Sequence, residues 1–318
     1  MWMTGVILMF THVTGLAVSA FRQAETMTSD DSARAHADLA IEVYTTPGRS
    51  FASTAKPEGP GDLPTWSPSS ATLIYGDRDA ILVDTLITYD QVDALADWID
   101  AKGRPLSRIY ITHGHGDHWL GLARLIDRFP GAIGLATAEV LAQAADPAMA
   151  GYWEALFPGE IPVAGEKVLP QLLTADALDL EGNELRVIRI GQADTAHSTV
   201  LHVPSLAAVV TGDLAYNQVH MMTAETGEPE RAQWIANLDA VAELGPAVVV
   251  AGHKQVDNDN DPKTISESQQ YLRDFTRIAA KETTTAGIVA RMTERYPDWA
   301  NLRTLWHSAR TAITRTSV

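Results

Sequence analysis

Residues 111–118 read Ile-Thr-His-Gly-His-Gly-Asp-His and place four strong metal-ligating side chains close together. These side chains are His113, His115, Asp117 and His118. Neutral imidazole and carboxylate groups are the ligands that borderline divalent cations such as zinc prefer. The two intervening glycines let the backbone turn tightly enough for several of the side chains to converge. The segment therefore predicts a metal site.

The motif lies between a strand-like segment, 107–112, and an amphipathic segment, 119–129, which predicts a helix. A strand-to-helix turn lies at the open edge of a sheet, where a substrate can reach the ligands. A single histidine is more often a buried core residue than a ligand. Three histidines and one aspartate in this window are much harder to explain by chance in a chain with 10 histidines.

Composition narrows the classes of function. The chain has 318 residues, 46% hydrophobic and 20% charged, and is long enough for a sizeable core. Its formal net charge of −16 argues against a nucleic-acid partner, because phosphate backbones are bound by clustered Lys and Arg. The chain has no cysteine, which excludes disulfides, thiolate zinc ligands and a cysteine nucleophile. We therefore expect a small-molecule substrate.

Residues 1–37 are predicted to form a flexible lead-in, and its first part has two interpretations. Residues 2–20 are mostly apolar and end at 18–20 in the small-x-small pattern of a signal-peptidase site, which would indicate export. However, no Lys or Arg precedes the apolar segment, and His12 interrupts it. These features favour a cytoplasmic protein that starts at Met27, and we expect no stable membrane anchor.

Strand-like segments interspersed with helical ones form two successive clusters along the chain. The predicted strands are 41–45, 71–75, 80–84, 107–112 and 132–136, then 178–180, 185–190, 199–203, 207–211 and 247–251. The pattern predicts an α/β fold of two packed sheets with helices on their outer faces. A loop rich in Pro, Gly and Ser is predicted over 46–70. We expect one catalytic domain over 38–256, with an all-helical extension over 257–318 packed on it.

Three later residues could complete the metal site. His197 precedes a predicted strand, whereas Asp213 and His253 each end one. All three lie beside small residues, so that an ion can approach closely. Each is weak evidence alone, but they support one another because they follow the first motif in this order.

With these residues the chain resembles the metallo-β-lactamase fold superfamily over roughly residues 40–255. The segment 113–118 matches the HxHxDH signature of that superfamily, and Asp84 matches its early aspartate, which supports the site. The resemblance implies an αββα sandwich with two zinc ions between the sheet edges, other divalent transition metals being alternatives. It implies that His113, His115 and His197 hold one ion, that Asp117, His118 and His253 hold the second, and that Asp213 bridges both.

The predicted function is a dinuclear metal-dependent hydrolase of a small ester or lactone, or of a thioester, acting through a metal-bridging hydroxide. The charges of the two divalent cations, Asp117, Asp213 and this hydroxide sum to about +1. A centre with a net positive charge favours the oxyanion of a tetrahedral intermediate. One alternative is a β-lactam hydrolase with the same ligands. Another is a mononuclear iron oxygenase resembling the persulfide dioxygenases, and a third is a binding protein without turnover.

Several further residues are candidates for the substrate site. Asp117 is predicted to orient or deprotonate the bridging water. Tyr216 lies three residues after Asp213, as does a tyrosine of the metallo-lactonases, and the resemblance implies that its hydroxyl assists at the substrate carbonyl. His220 is a second candidate substrate-binding residue. Trp66, Trp119 and Trp153 could form an apolar wall, and core packing is the alternative for each of these side chains. The helical extension is expected either to cap the cleft or to form a homodimer.

Overall fold

The structure, a computed structural model, describes residues 37–50, 65–162 and 166–316. The predicted lead-in, with its signal-like segment and the start at Met27, lies outside the described residues up to residue 36. Residues 51–64 of the predicted loop also lie outside them. Among the described residues, no helix combines the length and the apolar character needed to cross a membrane.

Strands and helices alternate along the chain as two clusters followed by a helical end. The strands are β1 Ala40–Thr46, β2 Arg49–Ser50, β3 Thr65–Trp66, β4 Ser69–Tyr75, β5 Ala80–Val83, β6 Leu106–Tyr110, β7 Ile133–Ala136, β8 Gln171–Leu172, β9 Ala177–Leu180, β10 Asn183–Gly191, β11 Ser198–Val203, β12 Ala208–Asn217 and β13 Val248–Lys254. The helices are α1 Tyr89–Asp100, α2 Gly116–Trp119, α3 Leu122–Arg128, α4 Ala138–Ala144, α5 Pro147–Leu156, α6 Glu228–Ala242, α7 Lys263–Ala279, α8 Thr285–Arg295 and α9 Leu302–Thr316.

The strands form two main sheets. The first has the order β1-β4-β5-β6-β7-β8, antiparallel from β1 to β5 and parallel from β5 to β8. The second has the order β13-β12-β11-β10-β9, in which the β12–β13 pair is parallel and the other pairs are antiparallel. The short strands β2 and β3 pair separately, so the ends of the predicted loop over 46–70 are partly strand.

Three buried clusters divide the molecule into layers. Ile74, Tyr110 and Leu201 belong to the cluster between the two sheets. A second cluster packs α1 and α3 against the outer face of the first sheet, and a third packs α6 to α9 against the second sheet. Strand β5 is buried along its whole length because both faces of its sheet are covered. The predicted αββα sandwich with additional C-terminal helices is confirmed.

Two predicted elements differ from the observed ones for tertiary reasons. In place of the predicted helix 119–129, α2 begins at Gly116 and α3 follows as a separate helix, since the Gly121 amide donates to Thr85 Oγ1 at 3.1 Å and to the Leu86 carbonyl at 3.3 Å, outside the helix. The predicted strand 207–211 continues to Asn217, because its parallel pairing with β13 resumes after a register shift at Gly212. Asp213 therefore lies within a strand, beside the end of the neighbouring strand.

The chain between α8 and α9 is fixed to the loop after β12. The His220 amide donates to the Ala300 carbonyl at 2.9 Å, and the Ala300 amide donates to the Gln218 carbonyl at 3.0 Å. A parallel bridge joins Val219 to Ala300 in the same place. These bonds bring the beginning of α9 to the sheet edge at which the predicted ligands lie.

Candidate metal centre

The first group of ligand side chains comprises His113, His115, Asp194 and Asp213, which each offer one atom within 4.8 Å of the others. His113 and His115 follow β6, and Asp194 lies in the loop between β10 and β11. The Asp194 Oδ2 atom lies 2.8 Å from His115 Nδ1 and 3.8 Å from His113 Nε2. Asp213 Oδ2 lies 4.0 Å from His113 Nε2. This group has the size of a coordination shell.

A second group consists of Asp117, His118 and His253. His253 Nε2 lies 3.3 Å from Asp117 Oδ2. Asp213 reaches this group as well, because its Oδ1 lies 3.3 Å from His118 Nε2 and its Oδ2 lies 3.2 Å from His253 Nε2. Gly252 permits this approach, since a Cβ there would lie 2.5 Å from Asp213 Oδ1. Asp213 therefore lies between the two groups, at the position predicted for a bridging ligand.

The structure does not bring His197 to either group, and this corrects the predicted ligand set. His197 is exposed and has a left-handed backbone, with φ of 63°. Asp194, three residues earlier, is fully buried and lies beside His113 and His115. The sequence analysis missed Asp194 because the resemblance favoured an imidazole in this loop. The sequence did contain a signal, because the segment 193–199 holds two ligand-type residues, Asp194 and His197.

Four buried polar atoms in the cluster have no hydrogen-bond partner among the described residues. They are His113 Nε2, His118 Nε2, Asp194 Oδ2 and Asp213 Oδ1, which lie near other atoms of the two groups but without the geometry of a hydrogen bond. Buried polar groups are nearly always satisfied, so four such atoms facing one another require an explanation. A divalent cation in each group supplies it, and the imidazole and carboxylate donors fit that role.

Each histidine of the two groups has its other ring nitrogen beside a second polar atom. These contacts are His113 Nδ1 with Thr112 Oγ1 at 3.1 Å, His115 Nε2 with Glu225 Oε1 at 3.0 Å, His118 Nδ1 with Asp84 Oδ2 at 2.8 Å and His253 Nδ1 with the Pro68 carbonyl at 2.9 Å. Such outer contacts orient imidazole ligands and fix their tautomers. Asp84 thus supports the site, as the resemblance implied, and Glu225 is a supporting residue that the sequence analysis did not find.

Comparison with known proteins agrees with this arrangement. A family model of the metallo-β-lactamase superfamily matches residues 64–253, which is more than half of the chain. The chain belongs to the metallo-β-lactamase superfamily. Members of this superfamily are typically metal-dependent hydrolases.

Solved structures of the superfamily share the fold at low sequence identity. A metallo-β-lactamase from Pontibacter korlensis is 18% identical with a TM-score of 0.55, and the match covers 74% of this chain and 99% of that chain. A metallo-β-lactamase family protein from Thermus thermophilus is 18% identical with a TM-score of 0.57, and the match covers 86% of this chain and 93% of that chain. The comparison with curated protein sequences finds no match.

Burial and neighbouring charges shift the pKa values of the side chains in the two ligand groups. Burial lowers the pKa of His253, but Asp213 and Asp117 outweigh this effect and raise the pKa to about 10. Burial raises the pKa of Asp194 to about 6, against the lowering effect of His115. In the metal-free protein the cluster therefore holds protons that bound cations displace.

Tyr216 and His220, the two candidate substrate residues, occupy different environments. The Tyr216 hydroxyl donates to Asp213 Oδ2 at 2.6 Å, and its ring stacks on His253 with centroids 5.4 Å apart. Tyr216 therefore holds the shared carboxylate in place while it lines the cavity. His220 Nδ1 instead lies 3.1 Å from the Tyr271 hydroxyl, and burial lowers the His220 pKa to about 4. His220 does not line the cavity, which corrects its predicted role: it packs beneath the C-terminal helices.

A cavity of about 230 Å³ opens onto the metal ligands of this superfamily member. Its apolar wall contains Trp66 and Trp153, whose rings pack edge to face with centroids 5.1 Å apart. Trp119 lies apart from the cavity and donates from Nε1 to the Gly114 carbonyl at 3.1 Å, so it is a core residue. Another part of the cavity wall comes from α9 and the residue before it, and contains Asn301, Arg303, Thr304, His307 and Thr311.

Replacement of Glu225 by Gln is expected to weaken metal binding by about ten-fold, because outer-shell partners of metal-bound histidines typically contribute that much. The amide keeps the size of the side chain but removes the negative charge beside His115. Competition with a chromophoric chelator measures the affinity. Glu294→Gln, at an exposed position on α8, is the matched control. Equal affinities for the two variants would contradict a supporting role for Glu225.

Proposed function

We propose that the protein is a dinuclear metal-dependent hydrolase of a small ester or lactone, with a thioester as a further substrate of the same class. The observation that carries this proposal is the position of Asp213, whose Oδ1 lies 3.3 Å from His118 Nε2 in the second group and which belongs to the first group together with His113 and His115. Both groups open into one cavity. A pair of divalent cations, for which zinc is the expected metal, suits a shared carboxylate of this kind.

Bound divalent cations would polarise a substrate carbonyl and make a water molecule nucleophilic at neutral pH. The protein residues would position the reacting groups around them. Asp117 lines the cavity and would orient the attacking water or accept its proton. Tyr216 would keep Asp213 in position through the 2.6 Å hydrogen bond, which makes Tyr216 a positioning residue.

The walls of the cavity support a small substrate with an apolar part. The indole rings of Trp66 and Trp153 offer a flat apolar surface close to the metal ligands. Arg303 lies above the Trp66 ring, with its guanidinium carbon 5.7 Å from the ring centroid. Among the described residues that line the cavity, Arg303 is the one lysine or arginine. An anionic group on the substrate would therefore be directed towards α9.

One observation favours a second candidate, a mononuclear iron oxygenase. His113, His115 and Asp194 form a set of two histidines and one carboxylate, which is the ligand type of non-haem iron oxygenases. The complete second group favours the hydrolase, because a mononuclear enzyme does not require Asp117, His118 and His253 together. A β-lactam hydrolase would use the same metal ligands as an ester hydrolase, so only the substrate that is hydrolysed distinguishes the two.

Metal content and turnover measured on the same preparation test the proposal. We expect two metal ions per chain by elemental analysis and hydrolysis of lactones or aryl esters in a panel that includes thioesters and β-lactams. A single iron per chain without hydrolysis would replace the proposal with the oxygenase. Turnover of β-lactams alone would leave the dinuclear centre in place but overturn the proposed substrate class.

Replacement of Arg303 by Ala is expected to raise KM by roughly ten-fold to a hundred-fold for substrates that carry a carboxylate, because a charged hydrogen bond contributes about 1.5–3 kcal/mol. The kcat for neutral esters should stay unchanged, since Arg303 is assigned no part in the chemistry. Steady-state kinetics on a matched pair of charged and neutral esters measures the difference. Arg315→Ala, exposed near the end of α9, is the control. Equal increases in KM for both esters would contradict recognition of an anionic group.

A further inference from the structure

We propose that Asp194 is a metal ligand in place of a third histidine, so that both metal positions have the same donor types. Each position then has two imidazoles, one carboxylate of its own and the shared Asp213. A centre of this kind accepts Mn(II) or Fe(II) as well as zinc. The inference rests on the proposed dinuclear centre, but it concerns which side chains and which ions form it.

The position of Asp194 is the first argument. The side chain is fully buried, and Oδ1 accepts a hydrogen bond from the Thr195 amide at 2.8 Å. This bond fixes the carboxylate and leaves Oδ2 directed at the cluster, 2.8 Å from His115 Nδ1. Oδ2 pairs with this imidazole but has no hydrogen bond of good geometry among the described residues. One carboxylate oxygen is therefore anchored by the backbone, and a cation that displaces the imidazole proton can take the other.

The conformation of the loop keeps His197 away from this position. Gln143 Nε2 donates to the Ala196 carbonyl at 2.7 Å, and Ser198 Oγ donates to the Thr195 carbonyl at 3.1 Å. These bonds hold the loop on both sides of His197, whose side chain faces the solvent. To reach the cluster, His197 would have to break them and displace Asp194. His307 also lines the cavity, but it lies on α9, and neither ligand group includes it.

The ligand charge is the second argument. The predicted ligand set contains two aspartates, whereas the observed cluster contains Asp117, Asp194 and Asp213. The net charge of two divalent cations with their protein ligands then falls from about +2 to about +1. Carboxylate oxygens suit manganese better than imidazole does, and two histidines with one carboxylate form a ligand set of ferrous iron, while zinc keeps the higher intrinsic affinity of the Irving–Williams order. Exchange of an imidazole for a carboxylate therefore narrows the preference for zinc.

Metal binding to the full-length, metal-free protein tests this inference without any reference to turnover. Competition titrations with Zn²⁺ and Mn²⁺ would be made on the natural protein and on Asp194→His, Asp194→Asn and His197→Ala. We expect the natural protein to bind two Mn²⁺ per chain and to show the electron paramagnetic resonance spectrum of a coupled manganese pair. Asp194→His should raise the selectivity for Zn²⁺ over Mn²⁺ by about ten-fold or more. Asp194→Asn should lose affinity at one position, and His197→Ala should match the natural protein.

Two results would overturn the assignment. One is loss of an ion from His197→Ala with both ions retained in Asp194→Asn, which would make His197 the ligand. The other is an unchanged metal selectivity in Asp194→His, with far-UV circular dichroism showing that this variant is folded. Two bound ions without hydrolysis would refute the proposed function and leave the ligand assignment intact. Hydrolysis by the natural protein, together with an unchanged metal selectivity in Asp194→His, would support the proposed function and refute the ligand assignment.

Discussion

His118→Ala is expected to lower the metal content from two ions per chain to one and the rate of hydrolysis by roughly a hundred-fold or more. The His118 ring lies between the Asp84 carboxylate at 2.8 Å and Asp213 Oδ1 at 3.3 Å. Its removal leaves Asp117 and His253 as the remaining members of the second group. Elemental analysis and steady-state kinetics on one preparation measure both effects.

The exposed His197→Ala variant is the control for this experiment, and it should keep both ions and the full rate. Retention of two ions by His118→Ala would show that His118 is not a ligand. Loss of one ion with the full rate preserved would contradict the dinuclear mechanism but not the metal site. The two measurements thus separate ligation from catalysis.

Trp234→Ala is expected to lower the free energy of unfolding by about 3–5 kcal/mol, which is typical of a large buried side chain replaced by alanine. Trp234 lies on α6 and is fully buried against the second sheet. Its Nε1 donates to the Leu214 carbonyl at 2.7 Å, so the variant also leaves a buried acceptor without its partner. Leu214 follows Asp213, and the same packing therefore supports the metal centre.

Urea denaturation followed by far-UV circular dichroism measures the effect of this variant. Trp98→Ala is the matched control, because Trp98 lies on α1, is only half-buried and packs against Tyr44 with centroids 5.5 Å apart. We expect a clearly smaller loss from the control. Equal losses from the two variants would contradict the packing assigned to α6.

The layers of the fold could be predicted from the sequence because they depend on local patterns. The sequence predicted strands over 71–75 and 80–84, which are β4 and β5, and an all-helical extension over 257–318, which contains α7 to α9. The extension of β12 to Asn217 could not be predicted in this way. It depends on pairing with β13, which is more than thirty residues further along the chain.

The cluster of ligand side chains was predictable where the ligands are adjacent in sequence or lie at the ends of neighbouring strands. His113, His115, Asp117 and His118 converge because one tight turn carries them all. The choice between Asp194 and His197 depends on a left-handed residue and on hydrogen bonds from Gln143, neither of which a local pattern reveals. Glu225 and the α9 wall were missed for a similar reason, since their side chains reach the site from distant parts of the chain.

The cavity wall contributed by α9 is separate in sequence from the residues that could hold the ions. Every ligand of the two groups precedes residue 254, whereas one side of the cavity is formed by residues 301–311. Mutations in the last helix can therefore alter which molecules fit without altering the residues that hold the ions. Under the proposed function we expect new specificities to arise from drift in α9 alone, and libraries randomised there, with the pairing of Val219 and Ala300 preserved, test this expectation.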